Sequence, residues 1–501
     1  MKIENLRYEN KDGLAKVVAT ISWENCNRSQ QDIYFATLPE YSSALSLKAD
    51  TYLVACAFLA ARYGEERIAI DSPVCPILLE GVLTNLAWLH RYWEKFSRTV
   101  PVIEAPLDTH SVSRPEEHTA LFISGGVDSL FSLRHNQLTV PEGHPFSIRD
   151  VIYVQGAGFP EDPKSSLKLD SLDRSIAKFS EVNKETGVNL IPVVSNLRTL
   201  AYRGYSDDGK FWQYCYLGAS LAAVAHSLGR RLTKIIVSSD NPISDIAPED
   251  LIYLAPNYNS QNLQLIYYGA RFSRLQKTQV ISDWDVGLRN LHVCTANGNS
   301  NCGKCLKCIV TMTTLEALGK LKGSRAFPVD EVYPELLQTL KLMTPGYLSD
   351  YSSLVPLLKE RGRDDLVLAI QRLIESYRPW SDWRELALQE IKRNIPPQVT
   401  FILADQDEWG TDEWVDERRR LPFLEKDGRY WGSPPDDRTA ILELERLKDD
   451  GATFLVIGWP AFWWLEHYVD FFHHLRSNYR CLLENERLVI FDLQDKLEAA
   501  A

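Results

Sequence analysis

Short apolar runs bounded by turn residues recur through the middle of the chain, at 121–123, 151–154, 190–194 and 234–238, and each predicts a buried strand. Between them, residues 167–186 and 212–228 carry apolar positions at helical spacing and predict crossover helices. Strands joined by helices imply an α/β fold, a mainly parallel sheet covered on both faces, with ligands at the carboxyl ends of its strands. Helical spacing then dominates to about residue 376.

The flanks follow different patterns. Alternation over 15–21 predicts strands near the N-terminus, and helical spacing follows over 50–63 and 82–96. The polar, Pro-containing stretch 104–117 reads as a linker, and Tyr377-Arg378-Pro379-Trp380-Ser381-Asp382-Trp383 as a second break. Beyond it come strands at 399–404, 452–457 and 488–491, with helices at 437–449 and 464–476. Three domains are expected: an α+β accessory domain over 1–115, a central α/β domain over 116–376, and a small α/β accessory domain over 377–501. No internal repeat or low-complexity tract interrupts them.

Composition narrows the function classes. The 501 residues are 45% hydrophobic and 24% charged, with a net charge of −12. That acidic balance argues against a duplex nucleic-acid partner. No apolar stretch reaches the length of a bilayer span, and Met1-Lys2-Ile3-Glu4-Asn5 lacks the apolar core of a leader, so no membrane association and a cytoplasmic location are expected.

Two clusters carry chemistry. Phe122-Ile123-Ser124-Gly125-Gly126-Val127-Asp128-Ser129 sits between an apolar strand and an apolar helix. Adjacent glycines let backbone N–H groups turn toward one point, and the helix start adds donors, which suits a phosphate. Ser124 and Ser129 add hydroxyls, and Asp128 suits the Mg²⁺ that accompanies a polyphosphate. An ordinary Gly-Gly turn capped by Ser and Asp is the plain alternative. The second cluster gathers four of the nine cysteines, Cys294, Cys302, Cys305 and Cys308, within fifteen positions. Four thiolates with C-x₂-C-x₂-C spacing suit a closed, structural Zn²⁺ site. An iron–sulfur cluster or unligated cysteines on a buried turn are the competing readings.

The Ser-Gly-Gly-x-Asp-Ser loop, followed about 170 residues later by this cysteine pattern, resembles the PP-loop ATP pyrophosphatase superfamily, and within it 7-cyano-7-deazaguanine synthase and its divergent relatives. The likeness spans roughly residues 118–320. It implies a parallel five-stranded sheet of the adenine nucleotide alpha hydrolase-like type, and cleavage of ATP between its α- and β-phosphates. It places Ser124, Gly125, Gly126, Asp128 and Ser129 in a pyrophosphate–Mg²⁺ cradle. Ser273-Arg274-Leu275-Gln276-Lys277-Thr278 resembles the basic run before the zinc site in those relatives, so Arg274 and Lys277 would neutralise phosphate charge. A solvated helix face is the plain reading of those two residues.

The resemblance implies an AMP- and pyrophosphate-forming ligase that adenylates a small-molecule carboxylate for attack by ammonia or an amine. The extra domains suit a bulkier acceptor such as a protein or a glycan, and they allow an oligomer. The rival readings are a tRNA-modifying thiolase or lysidine-type ligase, for which Cys215 is the candidate reactive thiol, and a non-catalytic nucleotide-binding protein. Ser195-Asn196-Leu197-Arg198, Ser238-Ser239-Asp240 and Gln155-Gly156 follow predicted strands and are weaker site candidates. Further on, Asp427–Pro435, 451–457 and Trp463-Trp464-Leu465-Glu466-His467-Tyr468 loosely resemble a module attached to glycosyltransferases and other bacterial proteins. Its paired tryptophans suit stacking on a sugar or base, or simply a core.

Overall fold

The computed structural model describes residues 1–93, 96–97, 99–108, 117–155, 169–202, 210–240, 242–243, 251–294, 300–409, 417–426, 428–430 and 432–496. Contacts gather Met1–Ala201 with Phe211–Tyr377 into one compact unit, and Tyr202–Lys210 with Arg378–Ala501 into another.

The first unit is built on one sheet. In chain order its elements are β1 (Lys2–Lys11), β2 (Leu14–Ser22), β3 (Gln31–Thr37), α1 (Ala49–Tyr63), β4 (Arg67–Ile70), α2 (Pro76–Tyr92), β5 (Val102–Glu104), β6 (Thr119–Phe122), α3 (Val127–Thr139), β7 (Ile148–Gln155), α4 (Leu169–Thr186), β8 (Asn189–Ser195), α5 (Leu217–Ser227), β9 (Lys234–Ser238) and β10 (Gln264–Tyr268). Helices follow: α6 (Arg274–Ser282), α7 (Asp285–Arg289), α8 (Leu306–Leu318), α9 (Pro345–Glu360) and α10 (Asp364–Glu375). The strands lie in the order β10-β9-β6-β7-β8-β3-β2-β1-β4-β5. Ten strands therefore stand where the likeness implied five.

Within that sheet β10, β9, β6, β7 and β8 are mutually parallel. β3 then joins β8 antiparallel, pairing Phe35, Ala36 and Thr37 with Ser195, Val194 and Val193. The segment 1–115, expected to stand apart, thus shares its sheet with the segment that follows it. The contacts do not divide the chain there.

Strand residues alternate between two cores, as the period of two requires. Ile235 and Val237 of β9 enter the core built with α1 and α5. Ile236 enters the opposite one, with Leu130 and Phe131 of α3, Met312 of α8 and Leu354 of α9. Every residue of α1 is buried, the expected state of a helix apolar on all sides. The chain leaves β6 for β7 on one side, and β9 later arrives on the other. The carboxyl ends of β6 and β9 therefore flank the point where the strand order reverses, the customary crevice for a ligand.

The second unit holds α11 (Trp380–Asn394), β11 (Thr400–Ala404), β12 (Arg419–Pro422), a small hairpin β13 (Glu425–Lys426) and β14 (Arg429–Tyr430), α12 (Asp437–Asp449), β15 (Ala452–Gly458), α13 (Val469–Asn478), β16 (Tyr479–Glu484) and β17 (Leu488–Lys496). Its sheet runs β12-β11-β15-β17-β16, parallel for the first three strands. Of the paired tryptophans, Trp464 is core and Trp463 is 44% exposed. Among the described residues no helix is long and apolar enough to cross a membrane.

Candidate active site and metal centre

The loop between β6 and α3 begins where Ile123 donates its N–H to Ile152 O of β7, 3.0 Å away. Gly125 turns at φ +80°, a conformation that glycine adopts without strain. The loop's own N–H groups are satisfied internally. Those of Ser124 and Gly125 both donate to Ser129 Oγ at 3.2 Å, and that of Gly126 donates to Ser124 Oγ at 3.2 Å. The N–H groups of the first turn of α3, Val127 to Ser129, are capped by no side chain among the described residues. The Gly-Gly turn shapes the loop, and the helix start offers backbone donors and its positive dipole end.

Asp128 sits in that first turn. Its Oδ1 accepts from Lys277 Nζ at 2.9 Å, and the same ammonium donates to Ser239 O at the end of β9. Lys277 is only 1% exposed. Helix α6 delivers it, starting at a capping box in which Ser273 Oγ accepts from Gln276 N and the Gln276 side chain accepts from Ser273 N. Arg274, at the first position of the same helix, donates from Nη2 to Thr311 Oγ1 of α8 at 3.2 Å, and its buried Nε has no acceptor among the described residues.

Asp240 follows Ser239 and is exposed. Crowding by protein, and then the charge of Asp128, push its carboxyl above the ordinary range, against the pull of its own N–H, Lys307 and Lys277. The sequence pointed to Ser238-Ser239-Asp240 only by position after a strand. The structure places these residues beside Asp128, with Ser238 Oγ donating to Ser132 Oγ at 2.8 Å.

The four cysteine sulfurs lie within 4.8 Å of one another, with Cys302 and Cys308 Sγ at 3.9 Å. Tetrahedral ligands at about 2.3 Å from one ion sit about 3.8 Å apart, so the group fits a single metal ion such as zinc. A cubane cluster would hold its sulfurs further apart. Gly303 makes the turn at φ +73°, and the N–H groups of Lys304 and Cys305 point at Cys302 Sγ, 3.4 and 3.3 Å away.

Asn301 was not legible as a site residue, yet it holds both limbs of this knuckle. Its Oδ1 accepts from Val293 N and Cys294 N, and its Nδ2 donates to Leu291 O and Ala326 O, at 2.9 to 3.1 Å. The knuckle also touches the loop: His292 N donates to Gly125 O at 2.9 Å.

The remaining candidates separate. Asn196 is a staple between strands, its Oδ1 accepting from Tyr34 N and its Nδ2 donating to Asp32 O, so its capping chemistry serves the β3–β8 seam. Arg198 lies over the Trp212 ring. Gln155 ends β7 half-buried, and Gly156, like Asp427 and Trp431, lies outside the described residues. Two surface depressions, of about 570 Å³ beside Arg7, Thr20 and Asp32 and about 300 Å³ beside Glu117, Lys234 and Gln264, include none of the loop residues. The first is lined by groups that already pair with each other, Arg7 with Asp32 and Thr20 with Asp32. The convergent charges at the loop are the better guide to chemistry. No family model, curated protein or solved structure matches this chain.

Proposed function

We propose that the first unit is an ATP-dependent ligase of the PP-loop type, forming AMP and pyrophosphate as it adenylates a carboxylate for C–N bond formation, in the manner of 7-cyano-7-deazaguanine synthase. The observation that carries this reading is the buried Lys277 ammonium clamped between Asp128 and the Ser239 carbonyl, directly beside an uncapped helix start. A carboxylate resists attack by an amine because oxide would have to leave. An acyl adenylate instead releases a stable phosphate, so the protein's part is positioning and charge neutralisation.

In this reading the α3 N–H groups and the Ser124 hydroxyl hold the departing pyrophosphate. Lys277 and Arg274 oppose the charge that builds on it. Asp128 Oδ2 and the Asp240 carboxylate are the groups the chain offers to Mg²⁺, which would supply further charge neutralisation. Zn²⁺ on the four cysteines would be structural, since four protein ligands leave no open position. The acceptor is a small carboxylic acid with ammonia or an amine as donor, and the second unit suits a bulkier acceptor such as a protein or glycan. The thiolation reading is weakened because Cys215 is 2% exposed, which suits packing better than persulfide transfer.

The test is incubation of the full chain with ATP, Mg²⁺, ammonia and a panel of carboxylic acids, following AMP and pyrophosphate. Acid-dependent release of both is expected. Absence of either product with every acid would leave a nucleotide-binding protein without turnover.

A further inference from the structure

Helix α8 starts from the cysteine knuckle. Cys305 is its N-cap and Cys308 lies in its first turn, so two of the four sulfurs fix where that turn points. Lys307 stands between them, exposed. One turn further on, Thr311 donates to Lys307 O at 2.7 Å and accepts from Arg274 at 3.2 Å, which brings Lys307 beside the basic residues of α6. Lys307 and Thr311, four residues apart, share one face of α8, the face that meets Arg274 of α6. Among the described residues no ion pair within 4.0 Å engages Lys307, and the Arg274 Nε lacks an acceptor. Three cations, Arg274, Lys277 and Lys307, thus stand on adjoining turns of α6 and α8, and among the described residues only Lys277 is ion-paired, with Asp128. Arg274 and Lys307 are left to meet an incoming anion.

We propose that Lys307 is a further substrate-contacting cation of this site, meeting the polyphosphate charge of a nucleotide bound at the Ser124–Ser129 loop. The inference rests on the ATP reading of that loop. It gives the knuckle a second role: besides holding a metal, it presents a charge to the reaction. A plainer role for Lys307 is to offset the negative charge of four thiolates. Lys304 separates the two, because it is exposed on the same knuckle and shares any such offset.

The experiment titrates full-length protein with Mg²⁺ and α,β-methylene ATP by calorimetry, and reads zinc per chain for each variant. Lys307→Ala is expected to weaken nucleotide binding about tenfold, Lys307→Arg to recover most of it, and Lys304→Ala to leave it unchanged, at equal zinc content. Unchanged affinity in Lys307→Ala, an equal loss in Lys304→Ala, or a loss that follows zinc rather than charge overturns the assignment. If the unmodified protein binds no nucleotide, the reading of the loop fails first, and the role of Lys307 falls with it.

Discussion

Lys277 lies where water can hardly reach it, so its partners decide both stability and chemistry. An enclosed ammonium costs several kcal/mol unless it is paired, and Asp128 supplies the only carboxylate within its hydrogen-bond reach among the described residues. Asp128→Ala would therefore strand that charge as well as remove a metal ligand. We expect pyrophosphate release to fall more than about 100-fold and stability to fall by about 2–4 kcal/mol in this variant. Asp128→Asn keeps an acceptor for Lys277, so it should lose turnover with a far smaller shift in thermal midpoint; wild-type turnover in Asp128→Asn would sink the charge role. Asp128 was legible because its neighbours in the loop are contiguous. Its pairing with Lys277 was not, because 149 positions separate the two. Asp150 shows the same blindness away from the site. It is buried in β7, where burial alone would raise its pKa, but His118, Arg231 and Asn189 outweigh that and hold it at about 2. A depressed carboxyl stabilises the fold above its unfolded value and ceases to do so below its folded one. About 2 kcal/mol should therefore be lost between about pH 4 and pH 2, and Asp150→Asn should flatten that part of an acid-unfolding curve.

Elements differ in how plainly the chain announces them. The knuckle is a local object, four cysteines and a glycine in one stretch, and its chemistry could be read directly. Asn301 reads as an ordinary loop residue until its four hydrogen bonds are seen to reach four separate backbone groups. Asn301→Ala leaves buried N–H and C=O groups unpaired, and we expect a loss of about 2–4 kcal/mol together with lower zinc content, measured by thermal unfolding and metal analysis. Cys305→Ser should lower zinc content and solubility together, because this thiol belongs to the metal cluster and its residue sets the start of α8; a well-folded, metal-free variant would argue against a structural ion. Strand β10 escaped sequence reading for a physical reason. It is a short edge strand whose apolar run, Leu265-Ile266-Tyr267-Tyr268, is too brief for periodicity to separate a strand from a helix segment. Helix α11 was hidden by Pro379, which reads as a break yet immediately precedes the helix, where a missing N–H costs nothing.

For the whole molecule, the sheet decides what can be removed. The polar stretch near residue 115 invites a cut, since it has the composition of a linker. A chain beginning there would lose β3, and with it the partner of β8 in a continuous ladder. It would also lose α1, buried on all sides and forming much of one core. The resulting fragment would present an unpaired edge at β8 and a bare apolar face, the two commonest causes of aggregation. Residues 116–377 alone are therefore expected to be insoluble, so their inactivity would reveal nothing about the acceptor. Residues 1–377 keep the ten strands and both cores of the first unit. This longer fragment should unfold cooperatively and bind nucleotide with the affinity of the full chain, as measured by calorimetry. Its turnover then separates the two halves of the proposed reaction. If AMP formation with small acids and ammonia persists, the second unit serves a larger acceptor; if it vanishes while nucleotide binding persists, that unit is needed for the chemical step itself. A soluble, nucleotide-binding 116–377 fragment would contradict the dependence of the site on the shared sheet.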